Sequence, residues 1–102
     1  MTISNSTHSQ DNSMLYHITP DSPVASVAQS IIDTCSRQKA ATLLAELYGK
    51  QMIFMIEALE ANDNVATIKH AENIASLELL TKAHDIRRDM HVAHLKTMPY
   101  RG

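Results

Sequence analysis

Between Val24 and Met98 the chain carries one glycine, Gly49, and no proline. A span of that length without breakers leaves little turn chemistry for a many-stranded sheet. Its Ala- and Leu-rich composition, without β-branched clusters, favours helix. Within the span, Met52-Ile53-Phe54-Met55-Ile56 sets a second constraint. Five consecutive apolar residues on a helix, at about 100° per residue, point all the way round it. A helix apolar on every side must be covered on every side, so this segment needs more than one neighbour.

The 102 residues make one domain. One Phe, no Trp and three Tyr leave an aliphatic core, with Ala and Met as fillers. Cys35 is the single cysteine, so an internal disulfide is impossible and a reducing compartment, the cytoplasm, is the expectation. The opening residues Met-Thr-Ile-Ser-Asn-Ser-Thr-His have neither the basic nor the apolar region of a secretory signal. No apolar run approaches the roughly 18 residues that a membrane span needs.

Charge is unevenly spread. Residues 1–81 hold four Lys/Arg and nine Asp/Glu, a net of −5; residues 82–102 hold five Lys/Arg and two Asp, a net of +3. Three of the six histidines, His84, His91 and His94, share the basic segment.

Residues 1–14 are almost all polar and read as a disordered arm. Leu15-Tyr16-His17-Ile18 follows as a short extended segment. Ser22 is a good helix N-cap and Pro23 suits the first helical position. A first helix is therefore predicted over 23–36, with Val24, Val27, Ala28, Ile31 and Cys35 as its inward stripe. Leu43, Leu44, Leu47 and Tyr48 fall on the opposite side if that helix continues unbroken. The polar run from Asp33 to Gln38 then marks a break near Ser36. The second helix is predicted over 37–61, ended by Asn62-Asp63-Asn64, which tolerate turn geometry. Asn64 is the expected cap of a third helix over 65–97, which Pro99 stops. Its main apolar stripe is Ile68, Ala71, Ala75, Leu79, Ala83, Ile86, Met90 and Ala93; a second face carries Ile74, Leu77, Leu80, Val92 and Leu95. Residues 99–102 form a tail.

The prediction is an all-α domain over 15–98, a helical hairpin with an added N-terminal helix, that dimerises into a helical bundle. A third helix near 50 Å long exceeds what the other two can cover. The homodimer interface is expected at Met52, Phe54, Met55, Leu77 and Leu80.

The candidate binding surface is a cationic ridge of His84, Arg87, Arg88 and His91, with His94 beside it. On one continuous helix these residues lie close together and point away from the Ile68 stripe. Arg87 and Arg88 disfavour a metal cation among the histidines, and no Cys or Glu completes a ligand set. An acidic face of another protein suits the ridge, and histidines titrating near pH 6.5 would tighten that contact in acid. Glu78 reads as a solvated residue in an i,i+4 pair with Lys82. Cys35 has no base beside it, no glycine-rich loop cradles a phosphate, and no turn frames a nucleophilic serine. The expected function is therefore a non-enzymatic regulator or adaptor without metal or cofactor. The alternative is a DNA-binding repressor or antitoxin. Leu15–Ile18 followed by two helices resembles the ribbon-helix-helix order in outline, or Arg37 and Lys39 could instead open a recognition helix of helix-turn-helix type.

Overall fold

The computed structural model describes residues 23–97. The polar arm over 1–14, the segment Leu15–Ile18, the Ser22 cap and the tail 99–102 lie outside the described residues. Four helices follow in order: α1 (Val24–Thr34), α2 (Arg37–Glu60), α3 (Asn64–Ala83) and α4 (Arg87–Lys96). Among the described residues there is no strand, so the class is all-α, with four helices where three were expected.

The first break falls where the phase argument puts it. Pro23 sits at the N-cap of α1, and Val24, Ala28 and Ile31 are its buried residues. Val27 and Cys35 pack against the same core, so the expected stripe is the inward one. Cys35 is extended, at φ −110° and ψ 159°, which ends α1. Ser36 then caps α2, its hydroxyl accepting from the Lys39 N–H at 3.3 Å.

The second reversal uses a left-handed asparagine. Asn62 has φ 58°. Its N–H donates to the Leu59 carbonyl at 3.1 Å, and that of Asp63 to Ala58 at 2.9 Å. This pair of bonds is the Schellman ending, and Asn is one of the few side-chain-bearing residues that accept the conformation readily. Asp63 is used twice, because its carboxylate also caps α3 by accepting from the Ala66 N–H at 3.1 Å. The cap is thus Asp63 rather than Asn64, which is the first residue of α3.

The third reversal corrects the single long helix. Asp85 also has φ 58°. Its N–H donates to the Lys82 carbonyl at 3.0 Å, and that of Ile86 to Thr81 at 2.8 Å. This is the same hydrogen-bond pair as at Asn62, one turn type used at both ends of α3. Ile86 follows the turn and is buried, which draws the chain back onto the bundle.

The two central helices, α2 and α3, each touch all the others. The core is Val24, Ala28 and Ile31 from α1, Ala40, Ala41, Leu43, Leu44, Ala45 and Leu47 from α2, Leu77 from α3, and Ile86 and Met90 at α4. It gathers around the first half of α2; beyond Gln51 only Ala58 of that helix is buried. The expected main stripe of α3 faces outward instead. Ile68 and Leu79 are 58% and 70% exposed, whereas Leu77 of the second face is fully buried and Leu80 packs on the core. Polar residues complete the inward face. His70 Nδ1 donates to Gln51 Oε1 at 2.9 Å, and Asn73 Nδ2 donates to the same oxygen at 3.1 Å. Thr81 bonds back to the Leu77 carbonyl at 2.6 Å.

Gly49 lies inside α2, and a methyl group there would meet His94 at 3.5 Å, an ordinary contact. No close approach demands the glycine. Gly49→Ala should therefore raise stability by roughly 0.5–1 kcal/mol, read as a higher urea midpoint with an unchanged slope. A lower midpoint would show that α4 cannot absorb the added methyl.

Candidate functional site

The reversal at Asp85 divides the expected cationic ridge. His84 caps the end of α3, while Arg87 and Arg88 open α4. The four residues therefore do not share one helical face, and α4 presents two chemically distinct sides.

One side is a clamp centred on Glu78. Its carboxylate accepts from His91 Nε2 at 3.1 Å and lies 3.6 Å from Arg87 Nε. Tyr48 from α2 lies near enough for the Glu78 charge to act on its phenol. The Tyr48 ring meets His91 and His94 edge-on, each with centroids 5.1 Å apart. Burial first, then the Glu78 charge, hold the Tyr48 phenol above its ordinary value of 10.0. Glu78 is thus a fastener between α2, α3 and α4, not a solvated residue in a local pair. Arg87 and His91 are engaged inside the chain. The signal that could have located this clamp, Tyr48 meeting His91 and His94 across the bundle, depends on a chain reversal that sequence spacing alone does not announce.

The other side of α4 faces α2 across an open groove of about 770 Å³. Arg37, Gln38, Ala41 and Thr42 line it from α2; Arg88, Asp89, Val92, Ala93 and Lys96 line it from α4. Arg37 crosses the groove's end, its Nε 2.9 Å from Asp89 Oδ2, and another of its nitrogens donates to the Asp85 carbonyl. Those bonds tie the start of α4 to the start of α2. Among the described residues no acidic side chain pairs with Arg88 or Lys96. Ala41 is buried in the floor, and Val92 is 42% exposed. The groove joins a cationic rim to an apolar base.

The expected interface residues separate in the same way. Leu77 is fully buried within the single chain, and Leu80 and Phe54 pack on its core. Met52 and Met55 are half-buried. Among the described residues no three His, Cys, Asp or Glu side chains are grouped to hold a metal ion. No described helix is long and apolar enough to cross a membrane. Leu15–Ile18, on which the ribbon-helix-helix outline depends, lies outside the described residues.

No family model, no curated protein and no solved structure matches the chain.

Glu78→Gln should weaken the clamp and lower stability by roughly 1 kcal/mol, since the pairs it loses are half in water. Urea unfolding reads this directly, and an unchanged midpoint would rule the clamp out as a fastener. Tyr48 gives a separate signature in alkali. Its folded-state value lies above 10.0, so its contribution is full below that pH and lost as pH rises through the raised value. Tyr48→Phe should flatten the alkaline limb of the stability curve; a limb of undiminished slope would assign the titration to another group.

Proposed function

We propose that the protein is a small non-enzymatic adaptor or regulator that acts as a homodimer and holds an acidic segment of another protein in the α2–α4 groove. The observation that carries this reading is the pair Arg88 and Lys96, unpaired among the described residues and set on either side of exposed Val92. Positions 88, 92 and 96 are four apart, so they form one row along α4. A segment with carboxylates flanking an apolar side chain complements that row in both charge and surface. Among the described residues no histidine lines the groove. The contact is then carried by Arg88 and Lys96, and the acid-strengthened binding expected from His84 and His91 has no place in it.

The DNA-binding alternative has less support. Arg37, its leading residue, is bound to Asp89 and to the Asp85 carbonyl, which holds it along the groove instead of free to read a base edge.

The test compares baits. Wild-type protein should retain partners that Arg88→Glu with Val92→Asp releases, with affinity reduced at least about tenfold. The variant should keep its helix content and its oligomeric size. Equal retention on both baits would remove the groove from the mechanism, and binding that collapses with salt on DNA alone would favour the nucleic-acid reading.

A further inference from the structure

The strip of α2 that α4 covers continues past the end of α4. Ala41, Tyr48 and Gly49 face α4, through the groove floor, the histidine rings and the His94 contact respectively. Extrapolated at about 100° per residue, the mean direction of those three residues falls within roughly 40° of Met52, Ile56 and Leu59. Those residues prolong the same track, with Ile53 and Met55 flanking it. Helix α4 ends at Lys96, and its His94 already sits beside Gly49. Ile53, Ile56 and Leu59 are left 55%, 47% and 54% exposed.

We propose that a second copy of this chain covers that track, with its own α2 laid antiparallel across a twofold axis at Ile56. This inference deepens the homodimer named above and rests on it. In a closed twofold pair each copy presents the same patch to the other. Around Ile56, residues whose numbers sum to twice 56 face one another, so Met52 of one copy lies opposite Glu60 of the other, with Leu59 adjacent. The partner's α2 takes up the layer that α4 begins and does not complete.

Two observations select a second copy as the occupant. The first is charge. Residues 57–72 at the hairpin tip carry Glu57, Glu60, Asp63 and Glu72 against Lys69, a net of −3. At the end of α4 Lys96 supplies the positive charge, while Arg87 and Asp89 are engaged within the chain by Glu78 and Arg37 and Arg88 lies on the groove side. The antiparallel arrangement sets Asp63 of one copy opposite Gly49 of the other, and Gly49 lies against the basic end of α4. Each acidic tip therefore meets a basic end, twice over by symmetry. A parallel pair would set tip against tip and repel. The second is area. A stable interface removes about 800 Å² per partner, roughly two-thirds of it apolar in homodimers. Ile53, Ile56 and Leu59, the half-buried methionines, and Leu95 at the end of α4 supply apolar surface on the order of 500 Å².

The experiment is sedimentation of the full chain across a concentration series. Wild type should be a dimer. Ile56→Lys, which places a charge on the axis from both copies, should weaken dimerisation about a hundredfold or more. Leu79→Lys, on the exposed back of α3, should sediment as wild type. Circular dichroism confirms that both variants keep their helices, as a substitution at a half-exposed position permits. Zero-length carbodiimide crosslinking of mixed isotopically light and heavy copies should join Lys96 of one to Glu60 or Asp63 of the other. A wild-type single subunit at every concentration overturns the proposal, as does a dimer that survives Ile56→Lys or is lost with Leu79→Lys. Crosslinks between the two tips overturn the antiparallel orientation. Arg88→Glu with Val92→Asp lies off the track and separates the two readings. A wild-type dimer whose partners are retained equally by the Arg88→Glu, Val92→Asp variant refutes the groove alone, and a wild-type monomer whose partners that variant releases refutes this interface alone.

Discussion

Everything in this fold depends on a mismatch of length. Helix α2 has 24 residues, while α1 and α4, which flank it, have 11 and 10. At about 1.5 Å per residue the flanking helices reach less than halfway along it. They therefore cluster on its first half, where Ala40, Leu44 and Leu47 are sealed to 1% exposure or less. Alanines at 40, 41 and 45 keep that half slim enough for neighbours on several sides. Leucines at 43, 44 and 47 supply the apolar area, each worth about 1.5–3 kcal/mol when fully buried. The second half has α3 as its main neighbour. A continuous apolar run placed there, Met52 to Ile56, cannot be enclosed by the helices that remain.

How far the sequence discloses this depends on which kind of signal each feature sends. The break at Ser36 is legible because the apolar phase reverses across it, and a straight helix cannot carry its stripe on opposite faces. The turn at Asn62 is legible because three turn-tolerant residues stand together. Asp85 has the same backbone geometry at φ 58° but stands alone among helix formers, so local composition is silent. What selects that turn is long-range. Ile86 and Met90 are buried only when α4 folds back, and Arg37 meets the Asp85 carbonyl only then. The gain in burial offsets the roughly 1–2 kcal/mol cost of a left-handed residue that is not glycine.

The inverted face of α3 has a different cause. The helix is apolar on both sides, and counting apolar residues favours the outward row of Ile68, Ala71, Ala75 and Leu79. The inward row includes His70 and Thr81, which look unsuitable for a core until their partners are known. Gln51 Oε1 accepts from both His70 and Asn73, though the buried Gln51 Nε2 has no partner among the described residues, and the Leu77 carbonyl takes the threonine hydroxyl. A polar residue with a partner loses the penalty that would otherwise exclude it from an interior. Partners nineteen and more residues away, such as Gln51 for His70, lie beyond any local pattern. The role of Glu78 is hidden for the same reason. Its pairing with Lys82 is visible in the spacing, whereas its bonds to Arg87 and His91 exist only after the chain turns at Asp85.

The cationic surface can be traced to the same turn. Met90 is fully buried, and that one fact fixes the rotation of the whole of α4. With Met90 inward, Arg87 and His91 are carried toward Glu78, while Arg88, Val92 and Lys96, spaced by four, fall together on the groove side. The Glu78 clamp and the Arg37 bonds hold α4 from its two flanks, so the row on the groove is presented by a fixed helix. Preorganisation of this kind lowers the ordering cost of binding, because the side chains already stand on a rigid scaffold. One helix thereby performs two tasks by rotation alone: one side fastens it to the bundle, and the other displays charge and an apolar residue to solvent. The short reach of α4 adds a consequence, since where it stops it leaves the track on α2 open. The proposed groove and the proposed interface between copies are thus both set by the position and length of ten residues.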